Sequence, residues 1–93
     1  MISHSAILAI VHAIYTTEGS SHTTHPFGIK HHYAHTSPAR AAFNTVERFV
    51  RNHPNSSLNK VFIRELSNIY CPPSVDKVGN KNWNGNMVKI LKL

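Results

Sequence analysis

The sequence predicts an all-α protein of about four helices, with the first helix buried at the centre of a small domain. Three observations support this fold class. Apolar residues recur at the three- and four-residue spacing of helices, four such segments are separated by Gly, Pro or Ser-rich breaks, and no β-hairpin pattern is present. The 93 residues suffice for one modest core, so residues 1–93 are assigned to a single domain.

The first helix is predicted from about Ser5 to Thr17, with Ser3 or Ser5 as its cap and Gly19 at its end. Its apolar residues cover nearly the whole circumference of the helix, which is typical of a helix at the centre of a fold. In this setting His12 is expected to be a hydrogen-bonded core residue rather than a metal ligand.

The second helix is predicted to begin at Ser37–Pro38, where a capping residue precedes a proline, and to end at His53–Pro54. The third is predicted from about Leu58 to Tyr70, where the following proline pair stops it. The predicted inner stripe of the second helix is Ala42, Val46, Phe49 and Val50. The predicted inner face of the third is Leu58, Val61, Phe62, Glu65, Leu66 and Ile69.

A linker containing Gly and Asn is expected after the proline pair, and a last helix from about Lys81 to Leu91. Trp83, Met87, Val88 and Leu91 are predicted to point inward from it.

The chain is basic, with ten Lys and Arg against four Asp and Glu and a net charge of +6. This excess suits either a solvated surface or an anionic partner such as nucleic acid, acidic lipid or a cell-wall polymer. The basic residues are scattered and no RNA-binding or zinc-finger motif is present, so nucleic acid is not expected. Cys71 is alone and cannot form an internal disulfide.

The amino-terminal apolar run does not have the pattern of a signal peptide, because it lacks a basic flank and a cleavage motif. It is also shorter than the ~20 residues that span a bilayer, so no transmembrane segment is predicted. If the protein acts outside the cytoplasm, we expect another component to deliver it.

The residues between the first two helices form a long polar loop, which makes it a candidate functional loop. Five of the eight histidines lie there: His22, His25, His31, His32 and His35. A metal site is one interpretation and a merely His-rich polar loop is the other. The spacing is not that of a helical His-Glu-x-x-His site and no cysteine pair is present, so we predict no metal and no cofactor.

Glu18 is the acid that differs from the others, since it follows an apolar helix and opens the polar loop. Apolar neighbours and the negative end of the helix dipole both favour its protonated form, from which a general acid must start. Glu47 is expected to pair with Arg51 at i, i+4 spacing. Glu65 is expected to be structural, and Asp76 to cap or order a turn.

Four short segments occur in an order that is typical of one known family: Glu18-Gly19-Ser20, Phe27-Gly28-Ile29-Lys30, Phe62 to Tyr70, and Asn82-Trp83 with Asn86-Met87-Val88. Together they resemble the lysozyme-like superfamily, and most closely the bacterial glucosaminidase and lytic transglycosylase domains. In that family a helix ends at a catalytic Glu, often as Glu-Ser-Gly, and an apolar-Gly-apolar motif follows. The likeness extends from about Ala6 to Leu91, although Gly19-Ser20 reverses the usual Ser-Gly order.

The resemblance implies that Glu18 is the catalytic acid and that Phe27, Gly28 and Ile29 bind the glycan by lining the sugar cleft. It implies that Tyr70 helps to hold either the reacting sugar of the substrate or the catalytic Glu. It implies a peptidoglycan-cleaving glycosidase or lytic transglycosylase that acts at the bacterial cell envelope. Because no second acid is well placed, a route with one carboxylate as acid and then base is expected. The alternatives are an inactive lysozyme-like module that binds glycan or protein, and a His-rich metal- or nucleic-acid-binding domain.

Overall fold

A computed structural model describes residues 1–19, 27 and 36–93, and these residues form four α-helices without a strand. The helices are α1 (His4–Thr17), α2 (Pro38–Arg51), α3 (Lys60–Tyr70) and α4 (Lys77–Ile90). The predicted all-α class with four helices is confirmed. None of the helices in these ranges has the length and hydropathy needed to cross a membrane.

Each helix begins at a side-chain cap that accepts a backbone N–H three residues later. Ser3, Ser37, Asn59 and Asp76 make these bonds at 3.2, 3.1, 3.0 and 2.8 Å. Such bonds satisfy N–H groups that have no partner within the helix, and each contributes about 1 kcal/mol. The caps therefore determine where the helices start.

The start of α4 differs from the prediction, because Asp76 caps a helix that begins four residues before Lys81. Gly79 lies in the first turn, where a Cβ atom would collide with the Asp76 carboxylate. The expected linker glycine is thus the residue that lets the cap approach the helix.

α1 packs against both α2 and α4, and α3 packs against α4. The predicted inner stripe of α2 is buried, and Phe49 in it meets Phe62 of α3 edge to face at 5.0 Å. Trp83 and Met87 of α4 are buried, with Val88 and Leu91 partly buried beside them. These contacts form one core.

α1 is central but buried on one side only. Its buried residues are Ile7, Ile10, Ala13 and Ile14, whereas Leu8 is 50% exposed. His12 is exposed, so the prediction of a core histidine was wrong. The apolar outer face made the helix look buried all round, although the contacts with α2 and α4 cover only one stripe.

The predicted inner face of α3 was partly wrong. Val61 and Ile69 are 64% and 52% exposed, and Glu65 is exposed too. Ile63 and Ser67 take the inner positions with Phe62 and Leu66. Burial of Ser67 is tolerated because its hydroxyl donates to the Arg64 carbonyl at 2.6 Å, which leaves no unpaired polar group.

Candidate active site at the end of helix α1

Glu18 is the residue at which α1 ends. Its backbone N–H donates to the Ile14 carbonyl at 2.9 Å, and the Gly19 N–H donates to the Thr16 carbonyl at 3.1 Å. Gly19 has φ 61°, a left-handed conformation that glycine adopts without steric cost. The chain thus turns away directly after Glu18 and leaves its side chain half-buried at the helix end.

The Glu18 carboxylate is held by Trp83 of α4. The indole Nε1–H donates to Glu18 Oε1 at 2.8 Å, and the Trp83 side chain is almost fully buried. A buried indole N–H needs an acceptor and can only donate. Oε1 therefore acts as an acceptor here, and a proton on this carboxyl group would reside on Oε2.

Tyr70 at the end of α3 belongs to the same cluster. Its ring stacks on Trp83 with centroids 5.3 Å apart and planes 16° from parallel. Burial, and secondarily the nearby Glu18 charge, raise the pKa of Tyr70 to about 12. The phenol therefore stays protonated and remains a hydrogen-bond donor at physiological pH.

Phe27 packs against α1 one turn before Glu18. Its ring meets that of Tyr15 edge to face at 5.2 Å, and its side chain is buried. Phe27 has φ 60°, which is uncommon for a bulky residue. Gly28 and Ile29, the other predicted glycan-binding residues, lie outside the described residues, as do the five loop histidines.

The other three acids have partners of their own. Glu47 pairs with Arg51 at 3.2 Å, as predicted, and Asp76 caps α4. Glu65 lies 3.6 Å from His53 Nε2 on the surface. Each of these acids therefore has a polar partner in its own surroundings, whereas the partner of Glu18 is a buried aromatic residue.

Cys71 follows Tyr70 and is not suited to nucleophilic chemistry. Desolvation and the negative charges of Asp76 and Glu18 raise the pKa of its thiol, which disfavours the reactive thiolate. The described part of the chain contains no group of three or more His, Cys, Asp or Glu residues able to hold a metal ion.

A groove of about 560 Å³ lies beside the end of α1, along the second half of α4. It is lined by Thr16, Thr17, Asn86, Lys89, Ile90 and Lys92. Thr17 directly precedes Glu18, and its hydroxyl contacts Met87 Sδ at 3.4 Å. Hydroxyl, amide, ammonium and apolar groups thus line this groove, and Glu18, Tyr70 and Phe27 are not among its lining residues.

The bond between Trp83 and Glu18 was not predicted from the sequence. A signal was present, because the single Trp of the chain was expected to be buried and a buried indole N–H requires an acceptor. Four carboxylates were available, and only the tertiary packing of α4 against α1 selects Glu18 among them.

Comparison with protein-family models, with curated proteins and with solved structures yields no match to this chain.

Proposed function

We propose that this protein cleaves peptidoglycan as a glycosidase or lytic transglycosylase, with Glu18 as its single catalytic carboxylate. The observation that carries the proposal is the Trp83 hydrogen bond, which fixes Glu18 Oε1 and leaves Oε2 for proton transfer. The resemblance of the sequence to lysozyme-like domains supplies the substrate class. The basic net charge is in keeping with a polymer whose peptide stems carry carboxylates.

In the proposed reaction, Glu18 Oε2 protonates the glycosidic oxygen as the C1–O bond breaks. The resulting Glu18 carboxylate then accepts the proton of the hydroxyl group that attacks C1. Attack by the 6-hydroxyl of the muramyl sugar gives a 1,6-anhydro product, whereas attack by water gives a hydrolysed one. Glycosidases normally use two carboxylates, and the structural partners of the other three acids favour the one-carboxylate route.

The test is digestion of purified murein by the wild type and by Glu18→Gln, followed by mass spectrometry of the soluble products. The wild type is expected to release muropeptides and E18Q none, because the neutral amide is too weak an acid to protonate the glycosidic oxygen. Products lighter by one water molecule than hydrolysed ones identify the anhydro route.

The matched control is Glu65→Gln, which makes the same chemical change at an exposed acid of α3. E65Q is expected to keep full activity, and circular dichroism should report the same helix content for all three proteins. Equal product release by E18Q and the wild type would contradict the proposal.

A second candidate is a non-catalytic lysozyme-like module that binds glycan or protein. The same Trp83–Glu18 bond favours it in one respect, since it gives Glu18 a structural role between α1 and α4. This candidate is expected to sediment with insoluble murein without releasing products, and E18Q is expected to bind as the wild type does.

A further inference from the structure

A second groove, of about 340 Å³, lies between α3 and α4. It is lined by Arg64, Pro73, Lys77, Asn80, Lys81 and Asn84. None of these residues belongs to the cluster of Glu18, Trp83 and Tyr70. The groove is therefore a separate feature of the surface.

Three cations converge on this groove without acidic partners. Lys77 and Lys81 lie one turn apart on α4, and Arg64 faces them from α3. No acid is among the lining residues, and within residues 36–93 these three side chains form no ion pair. Like charges at i, i+4 spacing repel each other, so the groove favours an anionic ligand.

One amide oxygen in the wall of the groove has no hydrogen-bond partner. Asn84 Oδ1 is buried and lacks a hydrogen bond, the one such side-chain atom found in the described ranges. By contrast, the Asn80 amide donates to the Ser67 and Cys71 carbonyls at 3.3 and 2.9 Å and so braces the groove wall. A buried acceptor left open costs stability, which a ligand donor would recover.

We propose that this groove binds an extended acidic peptide. Arg64, Lys77 and Lys81 would pair with its carboxylates, and Asn84 Oδ1 would accept a backbone N–H. A carboxylate or phosphate diester alone has no donor for Asn84, whereas a peptide supplies both anion and donor. The helix rises by ~6 Å from Lys77 to Lys81. This rise is close to the ~6.6 Å that separates residues i and i+2 of an extended peptide, so two alternate acidic side chains could meet the two lysines.

The inference does not depend on catalysis by Glu18. If the protein cleaves peptidoglycan, the carboxylate-bearing peptide stems supply this chemistry. The two proposals are separable, because E18Q is expected to bind an acidic peptide as tightly as the wild type does.

The probe is a short blocked peptide with two glutamates separated by one alanine, titrated into the full chain by calorimetry at fixed ionic strength. Its glutamine analogue is expected to bind at least about tenfold more weakly. The variant R64Q/K81Q is expected to show a similar loss, and Asn84→Ala a smaller one.

The matched control is K89Q/K92Q, which removes the same net charge from the other groove and is expected to bind within about twofold of the wild type. Equal weakening by both double variants would overturn the proposal, since it would indicate general charge attraction. Tighter binding of a single-stranded oligonucleotide of equal charge, with the same dependence on Arg64 and Lys81, would overturn it in favour of nucleic acid.

Discussion

Trp83 Nε1 and Glu18 Oε1 lie 2.8 Å apart although 65 positions separate them in the chain. The bond joins the end of α1 to the middle of α4, and the contact of Thr17 with Met87 lies next to it. A carboxylate anchored between two helices has less conformational freedom than one on the surface. Such restraint is what a group needs when it must meet a reacting oxygen at a defined position.

The first prediction concerns this bond. Trp83→Phe keeps an aromatic ring for Tyr70 but removes the donor, and should lower the free energy of unfolding by about 2 kcal/mol. The free energies of unfolding of the wild type, W83F, Glu18→Ala and the double variant, measured by urea denaturation, form a double-mutant cycle. The double variant should be more stable than the sum of the single losses implies, by about 1 kcal/mol. Strictly additive losses would show that the two side chains do not interact.

The second prediction concerns stability at alkaline pH. The pKa of Tyr70 is about 12 in the folded protein against 10.0 in the unfolded chain. The folded state therefore holds this proton more tightly, and its contribution is present below pH 10 and is lost as pH rises towards 12. The loss is of the order of 2 kcal/mol.

The Tyr70 contribution is measured as the difference in unfolding free energy between the wild type and Tyr70→Phe across this range, which removes the effect of lysine titration. E18Q should lower the pKa of Tyr70 while leaving it above 10.0, because burial is the larger cause. A constant difference between wild type and Y70F would contradict the prediction.

The third prediction compares two glycines that both have open space for a Cβ atom. Gly19 has a left-handed φ of 61°, so Gly19→Ala should destabilise the protein by about 1 kcal/mol. Gly85 lies exposed within α4, so Gly85→Ala should stabilise it by about 0.5–1 kcal/mol. Thermal denaturation gives both values, and effects of the same sign would be inconsistent with the backbone argument.

The fourth prediction compares two asparagines of α4. Asn84→Ala removes a buried unpaired oxygen and should leave stability unchanged or raise it by about 1 kcal/mol. Asn80→Ala removes an amide that donates to α3 residues and to Cys71, and should lower stability by about 1–2 kcal/mol. Chemical denaturation distinguishes the two, and a large loss in N84A would indicate that its amide has a structural partner.

Local chemistry made much of the fold predictable. Ser37 followed by proline marks the start of α2, and its inner stripe shows the helical period clearly, so both predictions were confirmed. The Glu47–Arg51 pair and the role of Asp76 as a cap were likewise predictable, because each depends on residues three or four positions apart.

Features that depend on tertiary packing were harder to predict. In α3 two overlapping apolar stripes are possible, and the contact with α4 selects the one that contains Ile63 and Ser67. Exposure of His12 depends on which sides of α1 its neighbours cover. Glu18 was identified by its position at a helix end, but its bond to Trp83 joins residues that no local pattern relates.

The bond between Trp83 and Glu18 also has a spectroscopic consequence. Trp83 is the only tryptophan of the chain, so indole fluorescence reports on a single environment. Displacement of the Glu18 carboxylate changes the acceptor at Nε1, and this change of hydrogen-bond partner is expected to alter the emission of the ring. The protein thus carries an intrinsic optical probe of its candidate catalytic acid, which can be followed during the addition of glycan without any label.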